Sequence, residues 1–276
     1  MKALVLRRTA LLGSLLTLVL VAASLLGPYM YRRDPLAQNL ERSLEPPSLQ
    51  YPMGTDLHGR DLLSRILAGG RVSLTVAFVA FLVSALPGMI LGLTAGYLGG
   101  AVDLVLSRTT DILMTLPTLL LAIAIVAVLG PGIPNLVLAI GIAGIPRFVR
   151  LIRAEVIRLR DLDFVVAARA LGATDLQIIR RHIIRNTLAS AIVMGSFLIA
   201  SNILTEATLS FLGIGVAPPT PSWGSMIAEG QKFLYRVPWV SLFPGLFIAA
   251  VVLGVNLAGD GLRDAFDPRL RGARHS

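Results

Sequence analysis

Apolar residues fall in six long runs that are separated by shorter polar segments. The runs cover residues 9–28, 72–98, 112–129, 135–145, 188–212 and 239–258. An α-helix needs about 20 apolar residues to cross the hydrocarbon core of a bilayer, and most of the runs approach or exceed that length. The pattern therefore predicts an all-α integral membrane protein with six transmembrane helices.

The first apolar run has two interpretations. Basic residues precede it, and the small residues Ala22, Ala23 and Ser24 could form the cleavage site of a signal peptide. The run is also long enough to span, and further spans follow it. An uncleaved first helix is therefore favoured.

The second run carries a regular spacing of small residues. Gly88, Gly92 and Gly96 recur every fourth position, so they share one helix face after Pro87, which should kink the helix. A face of glycines lets another helix backbone approach closely. We expect these three glycines to form a helix-packing face.

One stretch between the apolar runs, residues 161–186, is charged and carries the start and stop signals of two short helices. Asp163 can cap a first helix that begins near Phe164, and Gly172 can end it in a left-handed conformation. Thr174 can cap a second helix, with Gln177 completing a capping box. The stretch is predicted to be helix, tight turn, helix.

The faces of this stretch suggest what it does. Leu176, Ile179 and Ile183 should share one face of the second helix, and the arginines fall largely elsewhere. The residues around the bend are small, so another backbone can come close. Such a surface suits docking to a partner protein, although a plain connector between two spans has the same pattern.

Composition and charge agree with a membrane protein and indicate its orientation. The chain is 55% hydrophobic and 15% charged, carries a net charge of +9 and has no cysteine. Of its 25 lysines and arginines, 17 lie at the ends and in the loops that one side of the membrane would share. By the positive-inside rule, both termini and the stretch 161–186 should be cytoplasmic. The arginines lack a nucleic-acid-binding arrangement, so no nucleic-acid partner is expected.

Few residues within or directly beside the runs offer chemistry. Arg108 and Asp111 can pair on one helix face. Glu206 lies within a span, which makes it a candidate functional residue, although a hydrogen bond between helices is the plainer role. The chain has no phosphate-binding glycine loop, and its three histidines are far apart, so neither ATP binding, a metal cluster nor a catalytic triad is expected. Energy for any transport should come from outside the chain.

The stretch 161–186 resembles the cytoplasmic "EAA" loop of ATP-driven importer permeases. Ala167, Ala168 and Gly172 match the family pattern, whereas Val166 replaces its glutamate and Arg185 its proline. The resemblance implies a coupling helix seated on a separate ATPase. The residues it marks for this contact are Val166, Ala167, Ala168, Arg169, Leu171, Gly172, Ala173, Thr174 and Asp175.

Three further stretches resemble the C-type permease subunits of dipeptide, oligopeptide and nickel importers. The first matches their Gly-Thr-Asp-x-x-Gly-Arg-Asp segment through Gly54, Thr55, Asp56, Gly59, Arg60 and Asp61. The others are residues 209–230, which include Trp223, and residues 256–270. We expect the first set and Trp223 to form an outer gate or a dock for a binding protein, or else to pack within the loops.

The resemblance implies the fold and the partners. The fold would be that of a type I importer permease: a membrane helix and external segment (1–71), a transmembrane domain (72–258) with a coupling loop (153–187), and a cytoplasmic tail (259–276). Expected partners are a second homologous permease, two ABC ATPases, an external substrate-binding protein and the bilayer of a prokaryotic inner membrane.

The resemblance also bears on substrate and cofactors. The chain itself would need no cofactor, because ATP and Mg²⁺ would bind the partner ATPases. Peptides are the favoured substrate, with nickel or another small solute as the alternative. From other classes, a self-contained secondary carrier and an intramembrane enzyme remain as alternatives.

Overall fold

The structure is a computed structural model that describes residues 2–266, with side chains from residue 9 onward. Residues 267–276 of the predicted tail, including His275, lie outside the described residues. The described residues are mostly helical, and a π-helical turn at Ile179–Ile183 joins α7 to α8. The helices are α1 Lys2–Met30, α2 Leu62–Leu98, α3 Gly100–Thr115, α4 Thr118–Leu129, α5 Ile133–Arg160, α6 Asp163–Ala170, α7 Asp175–Ile178, α8 Ile184–Phe211, α9 Trp223–Gln231 and α10 Trp239–Phe266.

The helices confirm the all-α membrane architecture. Five are long and apolar enough to cross a membrane, and a sixth candidate span is a bent pair. The five spans are Thr9–Met30, Leu62–Leu98, Ile133–Arg160, Asp175–Phe211 and Trp239–Phe266. Their order places the beginning of α1 and the end of α10 at the same end of the bundle as α6 and α7. We call this the loop end, and the other the cap end.

The third span is not the single helix that the sequence predicted. Gly100–Thr115 and Thr118–Leu129 meet at an angle of 89°. Pro117 has no backbone N–H, and it forces the preceding Leu116 into an extended conformation (ψ 132°), so the helix is interrupted there. α3 is thereby turned away from α4.

The second span begins earlier than the sequence predicted. Helix α2 starts at Leu62 rather than Val72, because the Asp61 side chain accepts hydrogen bonds from the backbone N–H groups of Leu63 and Ser64. The expected boundary between residues 71 and 72 thus falls inside a continuous helix. α2 reaches from the cap end to the loop end.

The predicted glycine face of α2 packs against α5. A Cβ atom on Gly88 would lie 2.8 Å from Cβ of Phe148, one on Gly92 would lie 2.7 Å from Cβ of Ile152, and one on Gly96 would lie 2.8 Å from Cβ of Val156. The spacing of four on α2 is therefore matched by a spacing of four on α5. The two helices are close enough that no side chain fits between them.

Candidate functional site

The turn at the loop end is built around Gly172. Its φ of +84° is left-handed, as predicted. The N–H of Gly172 donates to the carbonyl of Arg169, and the N–H of Ala173 donates to the carbonyl of Ala168, both at 3.0 Å. This pair of bonds is the Schellman arrangement, which ends α6 at a defined angle.

The second helix of the loop starts as predicted, but the first does not. Thr174 and Gln177 form a reciprocal capping box at the start of α7. Asp163, in contrast, is the first residue of α6 rather than its cap. The capping position belongs to Leu162, whose side chain makes no capping hydrogen bond, and its carbonyl accepts from the N–H of Val166.

The second helix is also not a separate short element. α7 passes through the π-helical turn directly into α8. In a π-turn the backbone hydrogen bonds join residues that are five apart instead of four. Ile178 and Ile183, which are five apart, are therefore both buried on the inner side of the turn. Leu176, predicted to share one face with Ile179 and Ile183, is 74% exposed, whereas Ile183 is buried.

The outer side of this turn presents apolar side chains to the surroundings. Leu171 is 89% exposed and Val166 is 54% exposed, while Val165 beside them is buried and anchors α6 to the core. We call the exposed set the coupling surface, after the coupling helix that was predicted here; it consists of Phe164, Val166, Ala167, Arg169, Leu171, Gly172 and Leu176. Of the other predicted residues, Thr174 and Asp175 are exposed, and Ala168 and Ala173 are half-buried against the core.

Polar contacts tie the coupling surface to the end of α2. The hydroxyl of Tyr97 donates to Oδ1 of Asp175 at 2.6 Å, and Nη2 of Arg169 donates to the same hydroxyl at 3.4 Å. The hydrogen bond with Tyr97 raises the pKa of Arg169 above its usual value. Sequence reasoning missed Tyr97 because it lies within an apolar run. Its only signal was a single aromatic hydroxyl at the end of that run.

At the cap end, the predicted external segment is held by a network of charges. Asp56 accepts from Nε of Arg60 at 2.6 Å and lies 3.1 Å from Nε of Arg65. The same two arginines reach Glu229 of α9, at 2.8 Å from Arg60 and 3.1 Å from Arg65. Asp56, Arg60 and Arg65 are buried, so the network fixes the segment to both α2 and α9. Arg65 and Glu229 were missed because their sequence neighbours do not reveal this pairing.

Asp61 joins the same end to the first span. Besides capping α2, its carboxylate accepts from the hydroxyl of Tyr31 and from Nη1 of Arg33, both at 2.8 Å. Two causes raise the pKa of Tyr31 to about 12: burial of its side chain is the larger, and its hydrogen bond to Asp61 is the second. Tyr31 therefore stays protonated and keeps donating at any physiological pH.

The predicted outer residues are packed inward rather than presented to a partner. Trp223 is fully buried, and its Nε1 donates to the carbonyl of Ile66 at 3.0 Å. Thr55, Asp56, Arg60 and Asp61 are buried as well, and Gly54 and Gly59 supply left-handed turns with φ of +80° and +67°. These side chains are therefore not available as a docking surface in this chain. That these residues take part in opening and closing the cap end stays a prediction.

Two acidic residues differ in their surroundings. Asp111 pairs with Arg150 of α5 at 2.5 Å rather than with Arg108, because the bend at Pro117 brings α3 across α5. Glu206 is fully buried, accepts from Oγ of Ser210 within α8 at 2.7 Å, and lies beside Ser73 of α2 and Ser222. Its surroundings suit the plainer of the two roles expected for it, a hydrogen-bonded contact between elements.

Comparison with known proteins identifies the family. The sequence profile of the family described as "binding-protein-dependent transport system inner membrane component" matches residues 88–272. A di/tripeptide transport system permease protein of Pseudomonas aeruginosa is 43% identical, with 96% of this chain and 89% of the relative covered. A dipeptide transport system permease protein of Alkalihalophilus pseudofirmus is 41% identical, with 96% and 87% covered. A glutathione transport system permease protein of Escherichia coli is 43% identical, with 95% and 86% covered.

These matches take in the glycine face of α2, the turn at Gly172 and nearly the whole chain. The chain therefore belongs to the family of binding-protein-dependent transport system inner membrane components, as a C-type permease subunit with the type I importer fold.

Proposed function

We propose that this permease carries short peptides, as one of two homologous permease subunits of an ATP-driven importer. The names of its relatives support this substrate class, because they specify dipeptides, di- and tripeptides, and glutathione, which is itself a short peptide. These names favour peptides over nickel or another small solute. An external binding protein would deliver the peptide at the cap end.

The observation that carries the link to ATP is the coupling surface. Leu171 and Leu176 project from the turn at the loop end together with Val166, and such exposed apolar groups are typical of a surface that another protein covers. We assign this surface to the partner ATPases, which would bind and hydrolyse ATP with Mg²⁺. The resemblance of the turn to the family's coupling loop supports the same assignment.

The orientation follows from the charges. The loop end and both chain ends carry 17 of the 25 lysines and arginines, and by the positive-inside rule this excess supports a cytoplasmic location for them. The coupling surface would then face the ATPases, and the cap end would face the binding protein. Closure of the ATPase pair would displace the coupling surface and, through the Tyr97 contacts, tilt α2.

The test is a matched pair of leucines. Leu171 and Leu212 both occupy the C-cap position directly after a helix, and each is followed by a left-handed glycine. Leu171→Asp should abolish co-purification of the ATPase and lower peptide uptake at least about tenfold, since a buried unpaired charge at an interface costs more than 1.4 kcal/mol. Leu212→Asp, at the cap end, should leave ATPase co-purification unchanged. Native co-purification and uptake in Leu171→Asp would refute the assignment.

A further inference from the structure

A second feature of the loop end lies beside the coupling surface and is distinct from it. A cavity of about 700 Å³ opens along the π-helical turn. We call it the basic pocket; its lining residues are Phe164, Arg180, Arg181, His182, Arg185 and Asn186. Apart from Phe164, none of them belongs to the coupling surface.

The basic pocket holds positive charge without a counter-charge. None of the ion pairs within the described part of the chain involves Arg180, Arg181 or Arg185. Nδ2 of Asn186 donates to the carbonyl of His182 at 2.6 Å, and the Phe164 ring lies 5.9 Å from the His182 ring. The wall is therefore held in place while the three guanidinium groups are free for a ligand. Guanidinium groups recognise phosphate and carboxylate oxygens through paired hydrogen bonds.

The depth of the pocket along the fifth span matches the headgroup layer. The span runs from Asp175 to Phe211, and a helix rises 1.5 Å per residue. A whole bilayer with its headgroups is about 40–45 Å thick, which corresponds to roughly 27–30 residues. For an upright helix with Phe211 at the far surface of the bilayer, this thickness ends between Arg181 and Arg185. The span continues into the cytoplasm only beyond them.

The surface next to the pocket on the membrane side is apolar. Leu188 and Ile192 follow Arg185 at helical spacing along α8, and they are 45% and 48% exposed. One helix face thus changes from arginine to exposed aliphatic side chains over two turns. An anionic lipid has the matching order of groups, a charged headgroup followed by an acyl chain.

We propose that the basic pocket binds the phosphate-bearing headgroup of an anionic phospholipid, with an acyl chain lying along Leu188 and Ile192. Basic pockets at the cytoplasmic ends of membrane helices are suited to such lipids. The proposal shares with the proposed function only the orientation of the chain. Because Phe164 belongs to both the pocket and the coupling surface, a bound lipid would also steady the start of α6.

The experiment uses the purified full chain in a neutral detergent. Phosphatidylglycerol, phosphatidylcholine and inorganic phosphate are added in turn, and bound lipid is counted by native mass spectrometry. The native chain should retain phosphatidylglycerol in preference to phosphatidylcholine. Arg181→Gln with Arg185→Gln should weaken phosphatidylglycerol binding about tenfold, since each basic side chain contributes to attraction at an anionic surface.

A control variant, Arg158→Gln with Arg263→Gln, removes the same charge at the loop end but outside the pocket and should bind phosphatidylglycerol normally. Arg181→Lys with Arg185→Lys keeps the charge and should retain most of the binding, which separates a lost site from a lost fold. Equal phosphatidylglycerol binding in the two glutamine variants would overturn the proposal. Displacement of the lipid by millimolar inorganic phosphate, or loss of a co-purifying ATPase with lipid binding intact, would also overturn it.

Discussion

At the scale of single residues, two glycines show how similar local geometry serves different ends of the molecule. Gly172 and Gly213 have φ of +84° and +79°, and each follows a helix in a Schellman arrangement. A Cβ atom would meet open space at either position. Substitution therefore strains the backbone equally at both, and any difference in effect reports on what surrounds the turn.

We predict that Gly172→Leu uncouples transport while Gly213→Leu does not. A left-handed conformation costs a side-chain-bearing residue about 1–2 kcal/mol, so both variants should insert with slightly lowered stability. Only Gly172→Leu also reshapes the coupling surface, and peptide uptake in intact cells should fall at least about tenfold, a change worth 1.4 kcal/mol. Equal uptake in the two variants, measured at equal membrane abundance, would show that the turn is a mere connector.

A second prediction at this scale concerns Arg65. It is buried, and it pairs with both Asp56 and Glu229. Arg65→Ala would leave Asp56 with one partner fewer in a buried site, so the free energy of unfolding should drop by about 3 kcal/mol. The exposed Arg32 is the matched control, because Arg32→Ala should leave stability within about 0.5 kcal/mol. Thermal unfolding in detergent measures both, and an unchanged midpoint for Arg65→Ala would contradict the network's role.

At the scale of elements, the pairing of α2 with α5 depends on the absence of side chains. A Cβ atom on Gly92 would lie 2.7 Å from Cβ of Ile152 and 2.9 Å from the carbonyl of Val149. The helices must move apart to accept it. Gly245 in α10 also lies within a helix, but a Cβ atom there would meet nothing within 4 Å.

We therefore predict that replacing glycine by alanine has opposite effects on stability at positions 92 and 245. Gly92→Ala should destabilise the protein by about 1–3 kcal/mol through overpacking. Gly245→Ala should be neutral or stabilising, since alanine is favoured over glycine in a helix by about 1 kcal/mol. Unfolding of the two variants under the same detergent conditions tests this. Equal stability would mean that the α2–α5 contact can relax at no cost.

Much of the element scale could be predicted from the sequence, because apolar run length and glycine spacing are local signals. The existence of the spans, the packing face of α2, the turn at Gly172 and the capping box at Thr174 all followed from residues close in the chain. The bend at Pro117 and the π-turn before α8 did not. A proline in a span can interrupt the helix, as Pro117 does, or lie within a continuous helix, as Pro87 does in α2. The π-turn goes with tertiary packing, in particular the inward placement of Ile178 and Ile183.

The candidate site was predictable to a smaller degree than the fold. The residues of the loop were found, but which of them face outward depended on the π-turn, and Leu176 was wrongly grouped on one face with the buried Ile183. The contacts of Tyr97 and Glu229 join segments far apart in the chain. Nothing in their sequence neighbourhoods marks such partners.

At the scale of the whole molecule, α2 links the two functional ends. Its 37 residues rise about 55 Å, from the Arg65 network at the cap end to Tyr97 at the loop end. Along its length it packs on α5 through the three glycines, so the two helices should move as one body. A displacement of the coupling surface can therefore reach the cap end through α2 as long as the contacts at Tyr97 hold.

Removal of a single oxygen atom, that of the Tyr97 hydroxyl, tests this link. Tyr97→Phe removes the hydrogen bonds to Asp175 and Arg169 but keeps the ring that packs in the core. A hydrogen bond to a charged group is worth about 1.5–3 kcal/mol, so its loss should let the coupling surface move without α2. The assembled transporter should still hydrolyse ATP, but peptide taken up per ATP should fall severalfold. Tyr29→Phe removes a hydroxyl that accepts from Arg71 at the cap end and should leave that ratio unchanged. A native ratio in Tyr97→Phe would mean that the coupling surface drives the spans by another route, through α5 or directly through α8.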